Sequence, residues 1–516
     1  MVFSILRDNI NPVNILCVMP YIKVPDRLQL TFMNKLDDLV APDHPVRLLD
    51  AVVERIIAGD PDYFDHLAPD EGAGRRGYPA GCLIKLLLYG YIHRISSSRA
   101  LAAEATRNIE VIWLLSSLAP SYKTIADYRK DYPDQIGRVN EAVVRFLIDG
   151  GWIEGQRVAV DGAKLKAYTG WDMSDAESLE RQLQRAHGQL EDWLARLAAN
   201  DLAEELADKQ PDGEHEPPAS EAEVMAEIGR LTGRIERLET LRDQLAESGA
   251  TRISPADPQA RLMRSGRKGK YPGYNLQAGV DGAHHMIVSA RVTDQATDFE
   301  QLRPMHQAIT DRLGATPAEL LADTGYADLG DIKQIQTDTP TRCYIPENDR
   351  SVRNRKVQFT YEPATDRYRC SAGRTLAPVA KDRYSKAKEA WKDIYRGTDC
   401  GGCPLAGQCT KAADGVRQLT VFHGAAWREA YRRQLASRYG KARIAERKSI
   451  VEHVFGTLRY WMGQIPLKLR GLRKVQTEID LYAGGYNLKR WFELGPFREL
   501  MAEITGWQGS ASLQPG

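Results

Sequence analysis

The sequence predicts an α/β protein: a mixed β-sheet core with helices on its faces, an all-α N-terminal domain ahead of it, and two insertions into it, one a helical hairpin and one rich in cysteine. Three observations carry this reading. Residues 45 to about 147 are apolar at helical period, as in V-R-L-L-D-A-V-V-E-R-I-I and A-G-C-L-I-K-L-L-L-Y-G-Y-I. Further on, short apolar runs bounded by turn residues recur with a helix-period stretch among them, the pattern of a sheet covered by helices. Two long acidic stretches then keep 4,3 apolar spacing, and four cysteines cluster between residues 370 and 409.

Composition bounds the rest. With 516 residues, 43% hydrophobic and 27% charged, the chain is long and apolar enough for a sizeable core divided among several subdomains, and is neither disordered nor membranous in type. The net charge of +1 conceals strong segregation. Between Asp172 and Glu247 there are 20 acidic and 8 basic residues, a local balance of −12 that leaves +13 on the remainder. Arg428 to Lys474 carries 13 Lys or Arg against 3 acids, and Arg261 to Tyr274 five cations with no acid. Such basic stretches point to a polyanion as partner. The first twenty residues break their apolar runs with Arg7, Asp8 and asparagines, unlike a signal peptide, and Leu83 to Ile92 contains Lys85 and is too short to span a bilayer. A cytoplasmic protein without a membrane partner is expected. Seven cysteines, clustered late, argue for metal or free thiols over a secreted disulfide framework.

In chain order, residues 1–26 read as an irregular extension, with Met19 as an alternative start, and 27–150 as the all-α domain. Within that domain Gly72 to Gly77 satisfies a dinucleotide-binding pattern, but no strand precedes it and Tyr78-Pro79 follows, so it reads as a loop. Ser96 to Ala105 and Tyr122 to Tyr132 are short helices spaced like a helix-turn-helix reader. Their cations Arg94, Arg99, Lys123, Arg129 and Lys130 suit either phosphates or a solvated face. Residues 151–171 and 251–347 form the first part of the core. Its first strand is 157–163, with Gly162 letting the chain turn after Asp161. Residues 172–250 form the acidic hairpin: Leu179, Leu183, Ala186, Leu190, Trp193 and Leu197 on one helix, Val224, Ile228, Leu231, Ile235 and Leu238 on the other, joined by a Pro-rich linker near 210–220. The core resumes as a β-hairpin, Tyr274 to Val280 and His285 to Val292 around Asp281-Gly282. A helix over Asp298 to Leu313, a strand over Glu319 to Ala322 and another over Arg342 to Ile345 follow. His284 and His285 are assigned structural roles, because adjacent strand residues face opposite sides.

Residues 348–422 form the cysteine-rich insertion. Cys370, Cys400, Cys403 and Cys409 include a tight C-x2-C, which is half of a zinc knuckle; structural Zn²⁺, free reduced thiols and an iron–sulfur cluster are the alternatives. Cys343 belongs to a core strand. Residues 423–495 complete the core, and 496–516 read as a tail.

The chemistry centres on Ala445 to Arg459, a helix on which Lys448, Glu452, Phe455 and Arg459 fall within about 60° of one another. Lys448 and Glu452 at i,i+4 also suit a plain surface salt bridge. Two further acids change the weighting: Asp161 ends R-V-A-V-D-G and Asp323 ends A-E-L-L-A-D-T-G-Y. Three carboxylates from two strand ends and a helix are what divalent cations require, since hard cations prefer oxygen ligands.

These residues resemble the bacterial insertion-sequence transposases of the DDE class, which have an RNase H-like catalytic core, and within them the group around insertion sequences four and five. There the first Asp ends a strand as V-D-G, the second lies in A-D-x-G-Y and the Glu in V-E-H-x-F-G. Asp161, Asp323 and Glu452 match these positions. The chain departs from the pattern where relatives carry a tyrosine and an arginine before the Glu, having Ala445 and Lys448 instead. The resemblance implies catalytic, metal-binding Asp161, Asp323 and Glu452 with two Mg²⁺ or Mn²⁺ ions. It further implies recognition of double-stranded element ends and target DNA, metal-dependent strand cleavage and strand transfer, and a homodimer on DNA. Lys448, Arg459, Arg267, Lys268, Lys270 and Arg129 are the expected DNA contacts. The alternative is a catalytically silent, transposase-derived DNA-binding protein.

Overall fold

The computed structural model describes residues 35–65, 77–209, 220–264, 269–347, 357–385, 390–410, 412–422, 425–461 and 467–508. The extension before residue 35, including Met19, most of the Gly72 to Gly77 loop and the linker 210–219 lie outside these residues. The architecture is mixed α/β, as expected.

Seven helices form the N-terminal layer: α1 (Pro45–Gly59), α2 (Pro61–Asp65), α3 (Ala80–Ile92), α4 (Ser98–Arg107), α5 (Ile109–Leu114), α6 (Tyr122–Asp131) and α7 (Pro133–Asp149). Local chemistry sets their starts. Proline occupies the first turn of α1 and α7, where its missing N–H costs nothing. Ser97 and Ser121 accept backbone N–H bonds from Ala100 and Thr124 at the starts of α4 and α6. Helix α3 is buried on every side from Gly81 to Ile92, and its one charge, Lys85, is neutralised by Asp50 at 2.6 Å and by Glu54 of α1. Between the two short helices expected here lies a third, α5, so their connection is longer than the reader motif requires.

The core sheet has six strands: β1 (Arg157–Lys166), β2 (Arg261–Arg264), β3 (Lys270–Asp281), β4 (Ile287–Thr293), β5 (Glu319–Leu321) and β6 (Arg342–Tyr344). Strand β3 lies antiparallel to β1, with Ala278 opposite Asp161, and takes both β2 and β4 on its other edge. Strands β5 and β6 continue the sheet parallel to β1, joined by α11 (Leu329–Asp338), while α10 (Leu302–Leu313) leads from β4 to β5. Two details differ from the sequence expectation. Strand β1 runs straight through Gly162 to Lys166, so that glycine makes no turn. Helix α10 begins at Leu302, which leaves Asp298 in the preceding loop.

The acidic insertion is a pair of helices, α8 (Ala176–Lys209) and α9 (Glu221–Ser248), longer than the apolar spacing alone indicated. Leu179, Leu183 and Ala186 near the start of α8 pack with Ile235, Leu238, Leu241 and Leu245 near the end of α9, which makes the pair antiparallel and gives it a core of its own. The cysteine-rich insertion is a second sheet of five antiparallel strands, β7 (Phe359–Glu362), β8 (Arg367–Cys370), β9 (Thr375–Ser385), β10 (Ala390–Gly397) and β11 (Gln418–Phe422).

Four helices close the chain: α12 (Ala425–Ala436), α13 (Arg438–Trp461), α14 (Leu472–Phe492) and α15 (Phe497–Gly506). Helix α14 is buried along most of its length and lies against α3, α7 and β4. Asn487 both accepts from the Ile287 N–H and donates to its carbonyl, each at 2.8 Å, so this helix satisfies the free edge of β4. The N-terminal layer and the sheet consequently share one contiguous core. The segment read as a tail is also part of it: Leu500 and Ile504 of α15 are buried, and Glu503 accepts the Trp152 indole N–H at 2.9 Å. Only residues 509–516 of that segment lie outside the described residues. Among the described residues no helix is long and apolar enough to cross a membrane.

Candidate active site

Two neighbouring parallel strands bring two of the expected acids together. Asp161 projects from the middle of β1, and Asp323 follows β5, where its carboxylate accepts the Gly325 N–H at 2.7 Å and caps a short helical turn. Asp161 accepts the Gly162 N–H at 2.8 Å, and its other oxygen lies 3.3 Å from Arg447 Nη1. Burial raises the Asp161 carboxyl above the ordinary aspartate range. The negative charges of Asp323 and Asp298 add to the shift, and the Gly162 N–H and Arg447 only partly offset it. A half-buried carboxylate with two acidic neighbours and one cation has less positive charge around it than it needs.

Asp298 is the residue that sequence reasoning missed. One of its oxygens accepts from Lys164 Nζ at 2.9 Å, Asn275 Nδ2 at 2.9 Å and Gln277 Nε2 at 2.8 Å. The Tyr326 hydroxyl, from the turn after Asp323, donates to Gln277, so the Asp323 turn, β3 and Asp298 are linked through side chains. These bonds outweigh burial and hold the Asp298 carboxyl below its usual range. Gly162 makes the arrangement possible: a Cβ there would sit 2.5 Å from Asp298 Oδ1 and 2.8 Å from Gln277 Nε2. The available signal was the acid itself, in D-Q-A-T-D between a strand and a helix, obscured by starting the helix one turn early.

The third expected acid stands apart. On α13, Arg447 faces Asp161, and Glu452, five residues later, projects about 140° around the helix from it. Glu452 is exposed, with Lys448 Nζ 3.6 Å away, while Phe455 turns into the core. The three-carboxylate site expected from the sequence is therefore assembled here as its aspartate pair with Asp298 beside it. Among the described residues no group of three or more His, Cys, Asp or Glu side chains is gathered to hold an ion. The chemistry of Asp161 and Asp323, hard oxygen donors short of positive charge, nevertheless fits a divalent cation.

The expected DNA contacts divide in the same way. Lys448 is exposed, and Lys270 is exposed at the start of β3. Arg129 requires correction: it is only 4% exposed and donates to the Ser96 carbonyl at 2.8 Å, inside the N-terminal layer where no phosphate can reach it. Its place on a basic stretch concealed a structural cation. Arg267 and Lys268, and the side chain of Arg459, lie outside the described residues. Past the end of β1 two exposed aromatics lie against cations that the sequence reading passed over, Tyr168 under Arg470 at 5.4 Å and Trp171 under Lys166 at 5.3 Å. His284 binds the Trp152 carbonyl at 3.1 Å and the His285 ring lies 5.1 Å from that of His453, tilted by 51°; among the described residues neither belongs to a metal-holding group.

Two family models match the chain, one described as a transposase DDE domain over residues 369–492, the other as a transposase domain (DUF772) over residues 34–131. These two matches indicate an insertion-sequence DDE transposase. The first match contains α13 and Glu452 together with most of the cysteine-rich sheet, and the second spans the N-terminal layer through α6. Asp161, Asp298 and Asp323 fall between the two. No curated protein and no solved structure matches the chain.

Proposed function

We propose that this transposase binds the terminal inverted repeats of its own insertion sequence as a homodimer, cuts the DNA there, and joins the freed 3′ hydroxyl to target DNA. The observation that carries the reading is the meeting of Asp161 and Asp323 across β1 and β5. Strands β1, β3 and β4 in antiparallel pairings, followed by β5 and β6 parallel to β1, support assigning the sheet, with β2 as a short addition, to the RNase H-like class.

Asp161 and Asp323 would hold the divalent ions, Mg²⁺ or Mn²⁺, and Glu452, on the same helix as Arg447, would complete the set once that helix turns to bring its exposed carboxylate to Asp161. A bound divalent ion supplies activation of an attacking water or hydroxyl and charge for the leaving oxygen. The chain's own residues do the positioning. Asp298 fixes Lys164 and, through Gln277 and Tyr326, the turn that carries Asp323. Lys448, Lys270, Arg459, Arg267 and Lys268 hold the phosphate backbone, and the α4 to α6 region reads the repeat. The work is done in the cytoplasm, where the element's DNA lies.

The test is an end-labelled duplex of the element terminus incubated with purified protein and Mg²⁺ or Mn²⁺. Asp161→Asn, Asp323→Asn and Glu452→Gln are each expected to lose at least about a hundredfold in cutting with repeat binding unchanged, because an amide keeps the shape and loses the charge. If the parent binds the repeat and never cuts, the silent DNA-binding reading is correct. Parental cutting by Glu452→Gln would remove that acid from the set.

A further inference from the structure

We infer that Cys370, Cys400, Cys403 and Cys409 together bind one Zn²⁺ ion, which serves as the structural centre of the β7 to β11 sheet. All four thiols line a single cavity, closed by Val357, Phe359, Leu376 and Leu405. They arrive from three parts of the insertion: Cys370 at the end of β8, Cys400 and Cys403 in the turn after β10, and Cys409 at the end of the helical turn Ala406–Cys409. The backbone around them is folded into tight turns. The Cys403 N–H donates to the Cys400 carbonyl at 3.2 Å and the Ala406 N–H to the Cys403 carbonyl at 3.0 Å, while the Gly373 N–H closes onto the Cys370 carbonyl at 2.8 Å. Gly402 and Gly373 take positive φ, 68° and 76°, in these turns. Gly397 is constrained by the thiols directly, since a Cβ there would lie 2.2 Å from Cys400 Sγ.

Cys370, Cys400 and Cys403 all lie within electrostatic range of Cys409, as does the Arg417 guanidinium. As the side chains stand they are not drawn into a coordination sphere. Each thiol can turn about χ1, and the cavity they share lies between them.

The second argument is energetic. Among the described residues, the buried apolar side chains in this insertion are Val357, Leu376 and Tyr395, and they belong to neither hydrophobic core of the protein. Five strands with so small a core do not hold together on apolar burial alone, and small domains in this position use a metal or disulfides. The thiols are all free, and four sulfur donors around one cavity match tetrahedral zinc in type and number. The root of the sheet is secured independently: Glu347, before β7, accepts from Arg428 at 2.8 Å and Arg432 at 2.9 Å of α12, after β11. Zinc would thus organise the sheet itself and leave its attachment to that ion-pair clamp.

The full-length protein, purified under reducing conditions without added metal, is analysed by mass spectrometry for metal content. One zinc per chain is expected, falling by at least half in Cys403→Ser and in Cys409→Ser and unchanged in Cys343→Ser, whose thiol lies in β6. Titration of the parent with a mercurial should release zinc in step with four thiols. Because the serine variants can lose zinc by misfolding, the parent is also refolded with Co²⁺, which should give the visible thiolate-to-metal absorption of a tetrahedral all-sulfur site. Zinc retained in both serine variants, iron with sulfide in place of zinc, or an absence of both zinc and the cobalt spectrum would each overturn the assignment.

Discussion

Asp480 offers a test of how the N-terminal layer is joined to the core sheet. It is buried in α14, where its Oδ1 accepts from Asn140 of α7 at 3.2 Å and from Gln476 at 3.0 Å. Gln476 in turn accepts the Val292 N–H and donates to the Ala290 carbonyl, so one chain of bonds runs from the edge of β4 to α7. Burial pushes the Asp480 carboxyl from 3.8 up to about 6, against the partial relief given by Gln476, Arg312 and Asn140. A shift of roughly two units at 1.36 kcal/mol each is about 3 kcal/mol. Its sign follows from which state holds the proton more tightly. The folded state does, so the contribution is fully present below the unfolded value near 4 and is lost as pH rises through about 6. Asp480→Asn cannot titrate and keeps an oxygen for both donors. Relative to the parent, its stability should therefore climb by about 2–3 kcal/mol between pH 4 and pH 8, most of it between pH 4 and 6. Paired urea unfolding curves across that range, with hydrogen exchange of the α7 and α14 amides, measure the difference. A difference between the two proteins that does not change with pH would refute the reasoning.

Two other expectations follow from the site. Gly162→Ala places a methyl 2.5 Å from Asp298 Oδ1, and because Asp298 is held by three donors it must break hydrogen bonds to move. Cutting should fall about 10- to 100-fold with repeat binding intact and stability lower by about 1–3 kcal/mol; a parental rate in single-turnover cleavage would show that the Asp298 cluster positions nothing. Removing charge at Lys270 or Lys448 should weaken DNA binding evenly across sequences and lower the logarithmic salt slope by about 0.9 for each phosphate no longer neutralised. An unchanged slope in binding titrations would assign that lysine to solvent.

What the sequence revealed and what it hid follow from the range of the interactions involved. The helical layer, the hairpin and the strands carrying Asp161 and Asp323 were legible because apolar period is a local signal that burial then enforces, as in α3 and β1. Element ends were not, because nothing local distinguishes Asp298 in a loop from Asp298 in the first turn of α10. The role of Gly162 was misread for a related reason: a glycine after a strand acid suggests a turn, whereas here the requirement comes from Asp298, 136 positions away. Arg129 and Arg447 show the same limit with charge. Both sit on basic helices, Arg129 reading as a DNA contact and Arg447 as one cation among several, yet one is buried against the Ser96 carbonyl and the other points at Asp161. Helix α15 reads as a tail in the sequence because its apolar stretch is short and its partner, α1, is far off along the chain.

The central claim is that Asp161 and Asp323, completed by Glu452, hold the divalent ions that cut DNA. The most direct measurement replaces Mg²⁺ with Fe²⁺ in the protein bound to an element-end duplex, adds ascorbate and peroxide, and maps where the polypeptide breaks, since hydroxyl radicals cleave only the backbone nearest the ion. The account predicts breaks at residues around 161, 323 and 452, suppressed by excess Mg²⁺ and lost in Asp161→Asn. Breaks elsewhere, or a pattern indifferent to Mg²⁺ and to that substitution, would contradict it.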